Sequence, residues 1–209
     1  MKTTKAEFMN KGFLFKYGSL VKEIRSKNWI TISIDALNPD AEWIAIVTDN
    51  AETYRDQINA IVVKMKHPKT CFVIDLHSCA NYKCLQKQWG NYLITDRDSV
   101  EVLLSFIHHH LVNNSMISFT IEDFRVCCVP YPLVKAVSVD IGKNAPVDPK
   151  AQAMCYGLCF EQASVLGTSY MDAFAKTLDE VGEDMYVPWS IQNSADDVIE
   201  AIFFYEPTN

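Results

Sequence analysis

The spacing of apolar positions changes several times along the chain, and each change predicts an element. From Trp29 to Leu37, Ile30, Ile32 and Ile34 alternate with Thr31, Ser33 and Asp35, the period of a half-buried strand. Trp43 to Thr48 and Cys71 to Leu76 are apolar almost throughout, as strands covered on both faces should be. Between them, Tyr54, Ile58, Ile61, Val62 and Met65 recur at helical spacing, after Asp49 and Glu52 in capping positions and before His67-Pro68. Strand, helix, strand is a βαβ unit, so the two flanking strands should be parallel. A further strand over Gly90 to Thr95 and a helix over Asp98 to Leu111 follow.

Either side of this unit the pattern predicts other elements. Thr4-Lys5-Ala6-Glu7 has the form of a capping box and predicts a helix to about Lys27, with Phe13, Tyr17, Leu20, Val21 and Ile24 on one stripe. Met116 to Ile121, Phe124 to Val129 and Val134 to Ile141 are β-rich. The break at Glu122-Asp123 is too short for a crossover helix, which predicts an antiparallel meander. Three C-terminal helices are then predicted. The first, from Asp148-Pro149, buries Ala151, Met154, Cys155, Leu158 and Cys159; the second, from Ser169, buries Phe174, Leu178 and Val181; the third, from Ser194, buries Val198, Ile199, Ile202 and Phe203. The expected class is α/β, with α+β as the alternative: a βαβ-containing mixed sheet, a meander and three helices. One domain over 1–209 is expected, divisible at the short segment Gly142 to Val147 into a sheet-containing part (1–142) and a helical part (143–209).

Composition narrows the class further. With 209 residues, 49% hydrophobic and 22% charged, the chain can bury a full core and is unlike a disordered sequence. No apolar run reaches membrane-span length, and Glu7, Asn10 and Lys11 interrupt any signal-like segment, so a soluble, cytoplasmic protein is expected. Seven cysteines, an odd number, point to reduced thiols. A net charge of −7 disfavours direct nucleic-acid binding. The charge is also segregated: residues 1–28 are basic, whereas 171–209 hold nine acids and one lysine.

Candidate chemistry is sparse. The β-rich runs end in or near acids, namely Asp35, Asp49, Asp75, Asp123 and Asp140. In an open parallel sheet ligands bind at the carboxyl ends of strands, so Asp49 and Asp75, with His77 two residues on, could hold magnesium for phosphoester hydrolysis. The same aspartates also suit helix caps and turns. His77, Cys79 and Cys84 lack the paired spacing of a zinc site. His108, His109 and His110 point about 100° apart on a helix and cannot all face one ion. Cys155 and Cys159 read as core residues, and Cys127 and Cys128 would face opposite sides of a strand. No metal or cofactor is therefore expected outside the magnesium reading. With seven glycines and no G-x-G-x-x-G or G-x-x-x-x-G-K-[ST], phosphate-cradling loops are missing.

Two functions fit these observations. The first is a non-enzymatic regulatory or inhibitory module that binds a basic protein surface through an acidic C-terminal helical face, using Trp189, Asp196, Asp197 and Glu200. The second is the metal-dependent hydrolase at Asp49, Asp75 and His77.

Overall fold

The computed structural model describes residues 12–65, 70–77, 81–112, 120–141, 143–160, 168–181, 185–194 and 197–207. The N-terminal capping box, Cys79, Asp196 and most of the run 116–121 lie outside them. The strands are β1 (Gly12–Tyr17), β2 (Trp29–Thr31), β3 (Ile44–Thr48), β4 (Cys71–Asp75), β5 (Asn91–Thr95), β6 (Leu133–Asp140), β7 (Ala153–Phe160), β8 (Trp189–Asn193) and β9 (Val198–Tyr205). The helices are α1 (Arg55–Lys64), α2 (Tyr82–Trp89), α3 (Arg97–Ile107), α4 (Ile121–Cys128) and α5 (Thr168–Glu180), and α3 runs into a π-helical turn over His108–Val112.

One sheet contains all nine strands in the order β2-β1-β3-β4-β5-β6-β9-β7-β8. Strands β1 to β6 pair parallel with one another. β9 runs antiparallel between β6 and β7, and β8 is parallel to β7. The predicted βαβ unit is present: β3 and β4 are parallel, with Thr48 opposite Asp75. The class is α/β, as the sequence predicts.

Helices cover both faces, which is why the central strands show no polar alternation. Ala45 and Val47 of β3 pack into a core with Leu103 and Leu104 of α3 and Phe124 of α4. Ile44 and Ile46 point the other way, into a core with Ile58 and Ile61 of α1 and Leu85 of α2. Further along that second face, Tyr156 and Leu158 of β7 and Phe203 of β9 pack on Phe174 of α5. Each such side chain, fully withdrawn from water, contributes about 1.5 to 3 kcal/mol.

Several predicted elements change type. Gly12–Tyr17, expected within the first helix, is a strand seated between β2 and β3; Leu14 enters one core and Phe15 the other. The strand expected over Trp29 to Leu37 stops at Thr31 and is followed by a 3-10 turn at Ile34–Ala36. No antiparallel meander forms among the described residues. Ile121–Cys128 is a helix, opened by a reciprocal capping box between Thr120 and Asp123, and β6 is parallel to β5. Glu122-Asp123, read as a break between strands, is the acidic first turn of that helix.

Of the three expected C-terminal helices, only α5 is helical. Ala153–Phe160 and Val198–Tyr205 are long strands, β7 and β9. Both are apolar on both sides, so their composition suits a buried helix as well as a buried strand, and pairing between distant segments decides. Cys155 and Cys159 share a face in either case, because an offset of four is even in a strand and about one turn in a helix.

Candidate functional site

Two places on the sheet gather polar side chains. The first is the C-terminal rim of the parallel strands, where the sequence places Asp49, Asp75 and His77. Asp49 lies just beyond β3, and its Oδ2 accepts hydrogen bonds from the backbone N–H groups of Ser19 (2.8 Å) and Leu20 (3.2 Å), in the loop after β1. That loop turns at Gly18, whose φ is +113°. A side chain there would collide with the Asp49 carboxylate, a Cβ falling 1.9 Å from Oδ1. Asp49 thus ties two loops together and does not cap α1; the turn before α1 is closed instead by Asn50, whose Oδ1 accepts from Thr53 N–H at 2.9 Å.

Asp75 ends β4 and is buried. Its Oδ2 accepts from Ala51 N–H (3.1 Å) and from the Tyr92 hydroxyl (2.8 Å), and its Oδ1 accepts from His77 N–H (3.1 Å). Burial pushes the Asp75 carboxyl above its usual range, opposed by these three hydrogen bonds. His77 is exposed, and it meets Asp75 through its backbone. The rim carboxylates therefore serve the loops: their oxygens accept from backbone N–H groups and a tyrosine hydroxyl.

The second place was not legible as a site in the sequence. Gly157 of β7 lies directly between Glu200 of β9 and Ser190 of β8 in the strand register, so the three residues form one row across the sheet, with Cys159 two residues further along β7 on the same face. The π-helical turn lies over this row. His110 sits above Gly157, and the lack of a side chain there is what admits the imidazole, since a Cβ would fall 2.1 Å from its Nε2. The Phe106 ring packs 4.9 Å from the His110 ring, centroid to centroid.

Four donor atoms converge as a result. Glu200 Oε2 lies 3.3 Å from His109 Nδ1 and 3.2 Å from His110 Nε2. Cys159 Sγ lies 3.6 Å from His109 Nδ1, 3.5 Å from His110 Nε2 and 4.0 Å from Glu200 Oε2. The outer nitrogens are engaged too: Ser190 Oγ is 2.6 Å from His110 Nδ1, and Asn28 Nδ2 is 3.2 Å from His109 Nε2. For Glu200, burial favours the neutral acid, but hydrogen bonds from the two imidazoles prevail and bring its pKa to about 2. Burial holds His110 below the usual imidazole value, against the pull of Glu200.

Beside this cluster opens a cleft of about 570 Å³, walled by Arg25, Lys27 and Asn28 on one side and by Ser138 and Asn193 on the other. His109 and Glu200 belong to both the cleft wall and the cluster, while His110 and Cys159 are buried behind them.

The residues expected to form an acidic docking face do not do so. Glu200 is 3% exposed and faces the imidazoles. Asp197 is exposed just before β9, and Asp196 lies outside the described residues. Trp189 begins β8 half-buried, its ring edge-on to Phe174 at 5.8 Å. The imidazole cluster was missed for two reasons. Val198–Tyr205 was read as a helix, which hides the strand row containing Glu200. Three consecutive side chains about 100° apart cannot all face one ion, but the wider π turn brings two of the three imidazoles to a carboxylate lying between them. The run of three histidines at a helix end was the available signal.

No family model matches the chain, and no curated protein matches it. Among solved structures it is similar to a mutant FtsZ from M. jannaschii at 7% identity, with a TM-score of 0.53 over 98% of this chain and 93% of that one. It is also similar to TubZ of Bacillus thuringiensis serovar israelensis, in a GTPγS-form protofilament, at 12% identity and a TM-score of 0.36, over 79% of this chain and 53% of that one. A third is CetZ of Methanosaeta thermophila, at 8% identity and a TM-score of 0.37, over 79% of this chain and 52% of that one. The FtsZ likeness is one of fold, and it corrects the functional expectation. That fold overturns the expectation of an inhibitory module and of a phosphoester hydrolase. The geometry agrees in part, since Glu200 of the expected acidic helical face is buried in strand β9 and the Asp49 and Asp75 carboxylates accept from loop backbone. Among the described residues, no helix is long and apolar enough to cross a membrane.

Proposed function

We propose that this chain is an FtsZ-like cytoskeletal subunit that assembles with copies of itself in the cytoplasm, and that its guanine-nucleotide edge is the C-terminal rim of β1, β3, β4 and β5. The observation that carries this reading is the match in fold to FtsZ over nearly the whole of both chains. Tubulin-like GTPases are the class to which that fold points, and self-assembly is the partnership it suggests. The rim is also the edge at which open parallel sheets take their ligands.

The local chemistry then specifies how this edge behaves. The Ser19 and Leu20 N–H groups converge on one anionic oxygen, which is the kind of nest that receives phosphate. The oxygen they hold belongs to Asp49. A nucleotide phosphate must displace that carboxylate and bear its charge nearby, and no glycine-rich loop supplies extra donors. Assembly is therefore expected to proceed without added nucleotide, and GTP to bind weakly.

The test combines sedimentation of the purified chain, with and without GTP, with titration of a fluorescent GTP analogue into wild type and Asp49→Ala. Wild type should pellet in both conditions, and Asp49→Ala should bind the analogue about tenfold more tightly, the value of removing one like-charge contact of about 1.4 kcal/mol. A chain that stays monomeric at high concentration under both conditions refutes self-assembly. An unchanged affinity in Asp49→Ala refutes the occupied phosphate nest.

A further inference from the structure

We infer that His109, His110, Cys159 and Glu200 form a tetrahedral zinc site that staples the π-helical turn after α3 to strands β7 and β9. The site lies apart from the nucleotide rim, and the inference stands whether or not the chain assembles.

Geometry carries the argument. Zinc bonds of about 2.0 to 2.3 Å to nitrogen, oxygen and sulfur generate a tetrahedron whose edges measure about 3.3 to 3.6 Å. Of the six separations between donor atoms, four, at 3.2, 3.3, 3.5 and 3.6 Å, fall near those edges, Cys159 to Glu200 needs a contraction from 4.0 Å, and His109 to His110 lies within 4.8 Å and must close as well. A thiolate, two imidazoles and a carboxylate are a donor set suited to zinc, whereas calcium or magnesium would require mostly oxygens.

The surroundings fit the same ion. Ligating imidazoles hold a partner on the nitrogen that does not touch the metal, which fixes ring orientation and tautomer. Here the Ser190 hydroxyl can accept from His110 Nδ1–H, and Asn28 lies against His109 Nε2, where zinc on Nδ1 requires the amide to turn its oxygen, in place of Nδ2, toward the Nε2–H. Gly157 provides the floor on which the His110 ring rests. The cleft gives the ion a path, since His109 and Glu200 stand in its wall in front of the buried Cys159 and His110. On binding, the Cys159 thiol proton and any proton shared between the imidazoles and Glu200 leave to solvent, and no other bond is made or broken. With all four positions supplied by the protein, the ion is structural.

The purified full-length chain, stripped by a chelator, should take up one equivalent of zinc in competition with a chromophoric chelator. Cobalt(II) in its place should show the strong visible bands of a tetrahedral ion and a thiolate charge-transfer band. Cys159→Ser and His110→Ala should each weaken zinc by more than about 100-fold, Ser190→Ala by about tenfold, and Cys84→Ser, at an exposed thiol away from the cluster, not at all. Wild type that takes up no stoichiometric zinc, or that binds it as tightly as Cys159→Ser, shows the cluster to be a metal-free hydrogen-bonded network and overturns the inference. Should the buried variants unfold, X-ray absorption at the zinc edge of loaded wild type decides: one sulfur and two imidazoles support the site, and a shell without sulfur overturns it.

Discussion

The strand rim and the imidazole cluster each place carboxylates at a sheet, yet they differ in what those carboxylates meet. At the rim, Asp49 and Asp75 accept from the backbone N–H groups of Ser19, Leu20, Ala51 and His77, so their oxygens are consumed in holding loops. At the cluster, Glu200 meets the imidazoles of His109 and His110 beside the Cys159 thiol. A carboxylate engaged by backbone groups has become part of the fold, and removing it leaves those donors without that acceptor, at the greatest cost where they are buried. A carboxylate engaged by metal-ligating side chains belongs to a constellation whose members can exchange protons for an ion. Proximity to a strand does not separate these cases, because both types of acid lie on a strand or directly after one; the identity of the donors does.

The largest effect expected from this contrast is at Asp75. Asp75→Ala leaves the buried Tyr92 hydroxyl and the Ala51 N–H without their acceptor and should lower the unfolding free energy by about 3 kcal/mol or more in urea denaturation. A loss below about 1 kcal/mol would mean that the rim acid is not holding the loops.

A smaller effect, of about 1 to 3 kcal/mol, is expected for Gly157→Ala, which drives a methyl group into the His110 ring. Because the strain lies between two side chains, His110→Ala should relieve most of it in a double-mutant cycle. Additive costs in that cycle would show that the clash is not with His110.

The smallest effect is a pH slope. The folded-state pKa of Asp75 is raised, so between the ordinary carboxylate value and the raised one the folded chain binds more protons than the unfolded chain. Stability contributed by this group therefore falls as pH rises through that window, by at most about 1.4 kcal/mol per pH unit. Asp75→Asn, which cannot titrate, should flatten the slope in unfolding free energy measured across acidic pH. A slope identical to wild type would assign the titration elsewhere.

The sequence by itself determined the elements whose apolar runs or stripes are bounded by strong local signals. β3, α1 and β4 form the βαβ unit that their alternation of apolar runs and helical spacing predicts, and α3 and α5 follow their apolar stripes. The aspartates at strand ends were legible as positions, but the choice between ligand and loop anchor depended on where Ser19, Leu20 and Tyr92 lie, at separations of 17 to 30 residues.

Tertiary structure alone decided β1, β7 and β9. These strands are covered on both sides, so no polar face marks their period, and an apolar run of that kind satisfies a buried helix and a buried strand equally. The cluster depended on that decision. Cys159 and Glu200 come within reach of His109 and His110 only because β7 and β9 pair with Gly157 opposite Glu200, which sets Glu200 beneath the π turn and against His109, 91 positions away in the chain. Local propensities act over a few neighbours, whereas that pairing is set by the burial of two cores against a common sheet.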